Sequence, residues 1–180
     1  MDPDERDSVA TQFGVSAEQV ERDHLISHLL AFLSREFGDR VHFIGGTALA
    51  RTHLPDGRLS EDIDLIAVGS RKEVATALDA TLPRAVARTH GRLTVEPALS
   101  ATADTLPVLL HPSDGRPVRL QLLSARDRVV WPTERRDLFS AMGMHPLLNY
   151  SCPRSPRSRR RRRRHGRTGT RPAISGTCGH

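Results

Sequence analysis

Asp62 and Asp64 are the residues in this chain whose type and spacing best suit catalysis. They stand two positions apart at the start of an apolar run that ends at Val68 and is long enough for a buried strand. Alternate side chains of a strand point to one face, so the two carboxylates should lie side by side. Such a pair can share hard divalent cations, since Mg²⁺ typically uses one or two carboxylates plus substrate phosphates. We therefore predict a site for two Mg²⁺ ions at Asp62 and Asp64.

A glycine pair precedes these acids, at the end of another apolar run. Gly45 and Gly46 follow the strand-like run 41–44 and precede Thr47, where residues that favour helix begin. Glycines let the backbone approach a triphosphate closely, and the free amides at a helix N-terminus attract anionic oxygens. We therefore predict nucleotide binding by Gly45, Gly46 and Thr47, with Ser60 as a further phosphate contact.

Each feature has an ordinary structural explanation when taken alone. Gly-Gly occurs in many turns, and an Asp-x-Asp near a strand end is most often a solvated edge or a cap. Their combination, in this order, is what nucleotidyl transfer requires, because metal-bound carboxylates beside a phosphate turn stabilise a triphosphate while a hydroxyl displaces pyrophosphate. Together, the two features favour a nucleotidyltransferase.

The elements that must position these residues are predicted from periodicity. Ser16 and Gln19 indicate a helix start, and an apolar residue recurs every four positions from Leu25 to Phe37. The later predictions are strands at 41–44, 63–68, 93–98, 106–111 and 118–123, with helices at 47–51 and 71–82. This order predicts an α+β domain with a mixed sheet flanked by helices.

Composition divides the chain into three parts. Ten of the 27 basic residues lie in 151–180, which has no acid, so the first 150 residues hold 17 basic and 21 acidic residues, a net charge of −4. We predict a loose segment at 1–15, a core domain at 16–137 and an irregular, disordered Arg/Pro-rich tail at 138–180. Both cysteines lie in the tail and no apolar run approaches the ~18 residues of a membrane helix, so we expect a cytoplasmic protein without a membrane partner.

The tail has three interpretations, of which an ordinary linker is the simplest. Its six consecutive arginines, Arg159 to Arg164, would give strong and salt-sensitive attachment to nucleic acid. The abrupt loss of apolar periodicity also resembles a GC-rich gene translated in the wrong frame, and we favour this last interpretation.

Residues from about Asp23 to Leu123 resemble the AbiEii/AbiGii toxin family of nucleotidyltransferases, within the polymerase-β-like superfamily. The matching sequence motifs are Asp23-His24-Leu25, Gly45-Gly46-Thr47-Ala48-Leu49 and Arg58-Leu-Ser-Glu-Asp-Ile-Asp-Leu65. The resemblance implies a polymerase-β-like core and Mg²⁺-dependent transfer of a nucleotide from an NTP. It also implies, in some members, tRNA as the acceptor and an antitoxin as the cognate partner.

The chain departs from this family at two places. Many relatives have a third acid on a strand resembling 118–123, where this chain has Gln121. An amide cannot act as a base, so either another group such as Glu96 serves or this subfamily manages with two acids. Relatives also continue into a helical half with a Lys and an Arg-Asp-x-x-Asp motif. The single lysine of this chain, Lys72, does not lie at the position of the lysine in the relatives. We therefore expect a C-terminally truncated or frameshifted chain, with the change near residue 138.

Other functions remain open on the sequence. A non-catalytic remnant could keep affinity for nucleotides or nucleic acid, and a two-acid core also suits transfer to a small molecule such as an aminoglycoside. His24 and His28 are spaced like metal ligands but lack the glutamate of a zinc-protease word, so ordinary packing histidines are favoured.

Overall fold

The computed structural model describes residues 2–53, 59, 61–125, 133–138 and 147–153, the last two ranges through their backbone and the Leu138 side chain. Its helices and strands follow the predicted order. The α-helices are α1 (Pro3–Phe13), α2 (Ala17–Phe37), α3 (Gly45–His53) and α4 (Arg71–Thr81), with 3-10 helices at Leu82–Arg84 and Leu99–Ala101. The strands are β1 (Val41–Ile44), β2 (Asp62–Ala67), β3 (Thr94–Glu96), β4 (Val108–His111), β5 (Val118–Ser124), β6 (Thr133–Leu138) and β7 (Leu147–Pro153).

Five strands form one mixed sheet in the order β1-β2-β5-β4-β3. β2 and β5 pair in parallel at its centre, and the other neighbours are antiparallel. A parallel pair needs a long crossover, which the chain between β2 and β5 supplies with α4, β3 and β4. The predicted α+β fold with a mixed sheet is confirmed.

The core lies on one face of this sheet. Alternate residues of β2 and β5 are fully buried there, against the apolar stripe of α2. Leu25, Leu29 and Leu33 of that stripe are at most 2 % exposed. Each such side chain contributes about 1.5–3 kcal/mol to folding relative to an exposed one. The burial of one face leaves the other face of the sheet to carry the polar residues.

The N-terminal residues form α1, where the composition predicted a loose segment. The Asp2 side chain accepts a hydrogen bond from the Asp4 amide at 2.9 Å, and Gly14 ends the helix in the left-handed region at φ 65°. Only Val9 of α1 is buried, in a small cluster with Val20 and Leu59. Capping and one apolar contact therefore hold a helix that has too few apolar residues to produce a periodic signal.

A second, two-stranded sheet pairs β6 with β7, and β7 lies beside β1 and α2. This strand falls inside residues 138–180, where we expected irregular structure, and Leu138 is buried in the main core at 1 % exposure. The arginine-rich residues 154–180 lie outside the described residues. Within the described part of the chain, no helix is both long and apolar enough to cross a bilayer.

Candidate active site

Asp62 and Asp64 occupy the face of β2 opposite the core. Ile63, Leu65 and Ala67 are fully buried, while the intervening residues are partly exposed, so burial alternates strictly along the strand. The expectation that both carboxylates lie on one face is met. The apolar residues between the acids fix this arrangement, because a slip of one residue would move three core side chains into solvent.

The electrostatics of this pair favour a bound cation. The pKa of Asp64 is raised above its ordinary value, first by burial and then by the negative charge of Asp62, and Arg119 offsets part of this rise. A carboxylate whose ionised form is disfavoured by a neighbouring carboxylate is stabilised when positive charge is added between them. Two hard oxygen ligands on an open face are also the donor set that Mg²⁺ prefers.

β5 places two further polar residues beside the acids. The parallel register sets Arg119 next to Asp62 and Gln121 next to Asp64. Arg119 Nη1 lies 3.8 Å from Asp62 Oδ2, with both side chains about half exposed. Arg119 was missed by the sequence reasoning, and its alternation with the buried Val118 and Leu120 was the available signal.

Gln121 therefore lies where the family resemblance implied an acid, directly beside Asp64. Its Nε2 donates a hydrogen bond to the main-chain oxygen of Asp104 at 3.4 Å. The neutral amide can orient a hydroxyl but has no basic lone pair with which to take its proton.

Glu96 does not replace this acid. It pairs with Leu109, and Leu109 pairs with Arg119, so Glu96 belongs to the same cross-strand row as Asp62. Three strand spacings separate them, about 14 Å at 4.7–4.9 Å per spacing. A general base must come within hydrogen-bond distance of the proton it takes, so the candidacy of Glu96 was wrong.

Gly45 and Gly46 are the first two residues of α3, so no separate loop joins it to β1 and the chain turns at Gly45 itself. Gly45 has φ +82°, in the left-handed region that disfavours other residues. A Cβ at Gly45 would overlap the carboxylate oxygen Oδ2 of Asp64 and approach its Cγ to 3.2 Å. The structure thus joins the two halves of the predicted site, because the glycine makes room for the acid.

The N-terminus of α3 is formed by the residues for which we predicted phosphate contacts. The first amides of an α-helix have no partner within the helix, and here they belong to Gly45, Gly46 and Thr47. Free amides and the helix dipole both favour an anion at this position. Thr47 is buried at 6 % exposure, whereas Gly45 and Gly46 are exposed. Ser60 and Arg58 lie outside the described residues.

A buried ion pair fixes α3 against α2. Arg51 Nη2 lies 2.7 Å from Asp23 Oδ1, with both side chains at most 5 % exposed. The guanidinium also donates to Ser27 Oγ at 2.9 Å and to the Asp23 main-chain oxygen at 3.1 Å. Asp23 therefore has a structural role in locating the helix that begins at Gly45. An acid on the apolar stripe of α2 and an arginine in an apolar helix were the sequence signals for this pair.

Comparison with protein families identifies this arrangement. Residues 29–155 match the model of the nucleotidyl transferase AbiEii toxin, of type IV toxin–antitoxin systems. The chain belongs to this family. The match includes the strands β1, β2 and β5, the glycine pair and both acids, and it continues beyond residue 138 into the β6–β7 hairpin. The predicted nucleotidyltransferase family is confirmed.

Among solved structures, the chain is similar to MenT4, a nucleotidyltransferase toxin from Mycobacterium tuberculosis H37Rv. The TM-score is 0.62 at 22 % sequence identity, and the alignment covers 83 % of this chain and 54 % of MenT4. This similarity shows a shared fold, and the chain spans about half the length of MenT4. No curated protein gave a significant sequence match.

Proposed function

We propose that this AbiEii-family chain transfers a nucleotide from an NTP to a hydroxyl acceptor, using Mg²⁺ held by Asp62 and Asp64. The observation that supports this most directly is the contact of Gly45 with Asp64. It brings a helix N-terminus suited to phosphate against a carboxylate pair suited to Mg²⁺. Neither feature alone would distinguish an enzyme from a capped strand edge.

Different groups of the chain would bind different parts of the NTP. The amides of Gly45, Gly46 and Thr47 bind phosphate oxygens at the start of α3, and Ser60 adds a hydroxyl. Arg119, half exposed beside Asp62, adds a positive charge on the same face of the sheet. Bound Mg²⁺, two ions in this proposal, would offset the charge that develops at the α-phosphorus and on pyrophosphate.

The acceptor is proposed to be the 3′ end of tRNA, with a cognate antitoxin and a cytoplasmic location. The toxin family supports an antitoxin partner. The open face of the sheet supports a macromolecular acceptor, because Arg119 and Asp62 lie about half exposed on it. Gln121, beside Asp64, can hydrogen-bond the attacking hydroxyl and orient it, which is a binding role and not proton removal.

The test is transfer of label from each of four α-labelled NTPs, with Mg²⁺, to total tRNA. We expect transfer by the chain, and its loss in Asp62→Asn and Asp64→Asn. Asp114→Asn, in the β4–β5 turn, is the matched control, because it removes one carboxylate without touching the acid pair. Label on the tRNA in the control but not in the two site variants would support the assignment.

Two other proposals predict different results. A non-catalytic remnant predicts no transfer by this chain but transfer by a version extended with a helical C-terminal half. An enzyme acting on a small molecule predicts label on an aminoglycoside and none on tRNA. Absence of transfer by both chain versions to every acceptor would refute the enzymatic proposal. Reading the underlying DNA in its other two frames beyond codon 155, where the family match ends, would show whether such a half is encoded.

A further inference from the structure

Three histidines meet beside α2, two from that helix and one from the turns after α4. His24 and His28 lie one helical turn apart, with their Nε2 atoms 3.3 Å from each other. His90, from the turns after α4, brings its Nε2 to 3.0 Å from His24 Nδ1. The sequence favoured ordinary packing histidines at positions 24 and 28, and nothing in it brought His90 to them.

The hydrogen bonds around His90 are consistent with one set of proton positions. When Thr89 Oγ1 donates to the Val86 main-chain oxygen, 3.3 Å away, it accepts from His90 Nδ1, which lies at 3.0 Å; we adopt this tautomer of His90. His90 Nε2 is then an acceptor and receives the proton of His24 Nδ1. This leaves the lone pair of His24 Nε2 directed at His28. A histidine that ligates a metal is commonly held in this way, by a hydrogen bond from its other nitrogen.

We propose that His24 Nε2 and His28 Nε2 chelate a late transition-metal ion such as Ni²⁺ or Zn²⁺, with His90 as the positioning residue for His24. The 3.3 Å between the two nitrogens is the separation of two ligands about a tetrahedral ion with Zn–N distances of about 2.0–2.1 Å. When the ion binds, the His28 proton resides on Nδ1. Two histidines four positions apart on a helix are a common metal-binding pair.

The site has two protein ligands. Among the described residues, no group of three His, Cys, Asp or Glu side chains could hold a metal ion as they stand. Water or a small ligand therefore fills the other coordination positions. A cavity of about 480 Å³ adjoins the cluster, with His24, His90, Thr89 and Ser113 in its lining.

The surroundings keep the imidazoles neutral, which a metal requires. Burial, with the neighbouring imidazoles, lowers the pKa of His24 and of His90 to about 4, and burial also lowers that of His28. The charged groups that line the cavity are Glu21, Arg22, Asp114 and Arg116, two of each sign. These four groups therefore add no net charge beside the histidines.

The ligand type separates this site from the acid pair. Imidazole nitrogen suits Ni²⁺, Cu²⁺ and Zn²⁺, whereas Mg²⁺ prefers oxygen ligands. The proposal is thus independent of the proposed nucleotidyl transfer. Asp64→Asn should leave Ni²⁺ binding unchanged, and His28→Gln should leave the response to Mg²⁺ unchanged.

Calorimetric titration of the untagged full chain with Ni²⁺ tests the proposal. We expect one binding event that weakens at least tenfold in His24→Gln and in His28→Gln. His90→Phe, which removes the acceptor for His24 Nδ1, should weaken it by about tenfold, as loss of an outer hydrogen-bond partner typically does. His111→Gln, in β4 and outside the cluster, is the matched control and should bind like the original chain.

A second measurement avoids reliance on variants that fold poorly. With ¹⁵N-labelled histidine and Zn²⁺, the Nε2 signals of His24 and His28 should shift, and Nδ1 of His24 should remain protonated. The proposal is overturned if those signals do not move. It is also overturned if His24→Gln and His28→Gln titrate like the original chain, or if alkylating Cys152 and Cys178 removes the binding event.

Discussion

Replacing Gly45 by alanine tests the geometry that links the glycine to the acid. The added Cβ would overlap Oδ2 of Asp64 and lie 3.2 Å from its Cγ and 3.3 Å from its Cβ. The carboxylate can escape only by rotating away from its position beside Asp62. We therefore expect Gly45→Ala to lose Mg²⁺ and NTP binding while remaining folded.

The cost in stability can be divided into two parts. An alanine at φ +82° costs about 1–2 kcal/mol relative to glycine, because its Cβ crowds the carbonyl oxygen. Moving Asp64 off a preferred rotamer costs about 0.5–1.5 kcal/mol more. The total of roughly 1.5–3.5 kcal/mol lies below the stability of a typical domain of this size.

Gly69→Ala is the matched control. Gly69 has the same φ of +82°, but a Cβ there would meet no atom within 4 Å. The two variants therefore share the backbone cost and differ in the displacement of Asp64. Urea denaturation of both should give a difference of about 1 kcal/mol.

The decisive assay is the rise in melting temperature on adding Mg²⁺ and a non-hydrolysable NTP. The original chain and Gly69→Ala should show this rise, and Gly45→Ala should not. If Gly45→Ala keeps the full rise, then either Asp64 is not a ligand or the position of its carboxylate does not matter, and our description of the site fails.

Four further results follow from the structure. In thermal melts without Mg²⁺, Asp64→Asn should unfold at the same temperature as the original chain or higher, because it removes a carboxylate whose ionised form is disfavoured by burial and by a like charge. It should also lose the rise in melting temperature on adding Mg²⁺. Arg51→Met should lower the free energy of unfolding, measured in urea, by about 3–5 kcal/mol because it leaves Asp23 buried without its cation. The double variant Arg51→Met with Asp23→Leu should recover much of this loss, and additive losses would contradict the pairing. Arg119→Gln should raise KM for the NTP about tenfold, while stability changes by less than about 1 kcal/mol because its ion pair is exposed; an unchanged KM would exclude a phosphate contact. The folded pKa of His24, about 4, lies below its unfolded value of 6.5, so the stability that neutral His24 contributes is complete above pH 6.5 and is lost as pH falls towards 4. Over this range the melting temperature of His24→Gln should fall less than that of the original chain, and parallel curves of melting temperature against pH would contradict the pKa shift.

Local signals in the sequence predicted much of the fold and the composition of the site. The apolar stripe of α2 and the alternation around Asp62 and Asp64 follow from periods of 3.6 and 2, which any short segment displays. The sequence motifs of the family lie in the same short segments, so the nucleotidyltransferase family was also predictable. The segment around Val9 was not, because a capped helix with one buried apolar side chain has no clear period.

Tertiary structure alone decided which residues meet. The parallel register of β2 and β5 set Gln121 beside Asp64 and removed Glu96 as a candidate base, and the packing of α3 brought Gly45 against Asp64. His90 reached His24 across 66 positions of sequence. Local periodicity records which side of an element is buried, but not which element it will face. Those partners are determined by the packing of the whole chain, so the chemistry between them could be read only from the structure.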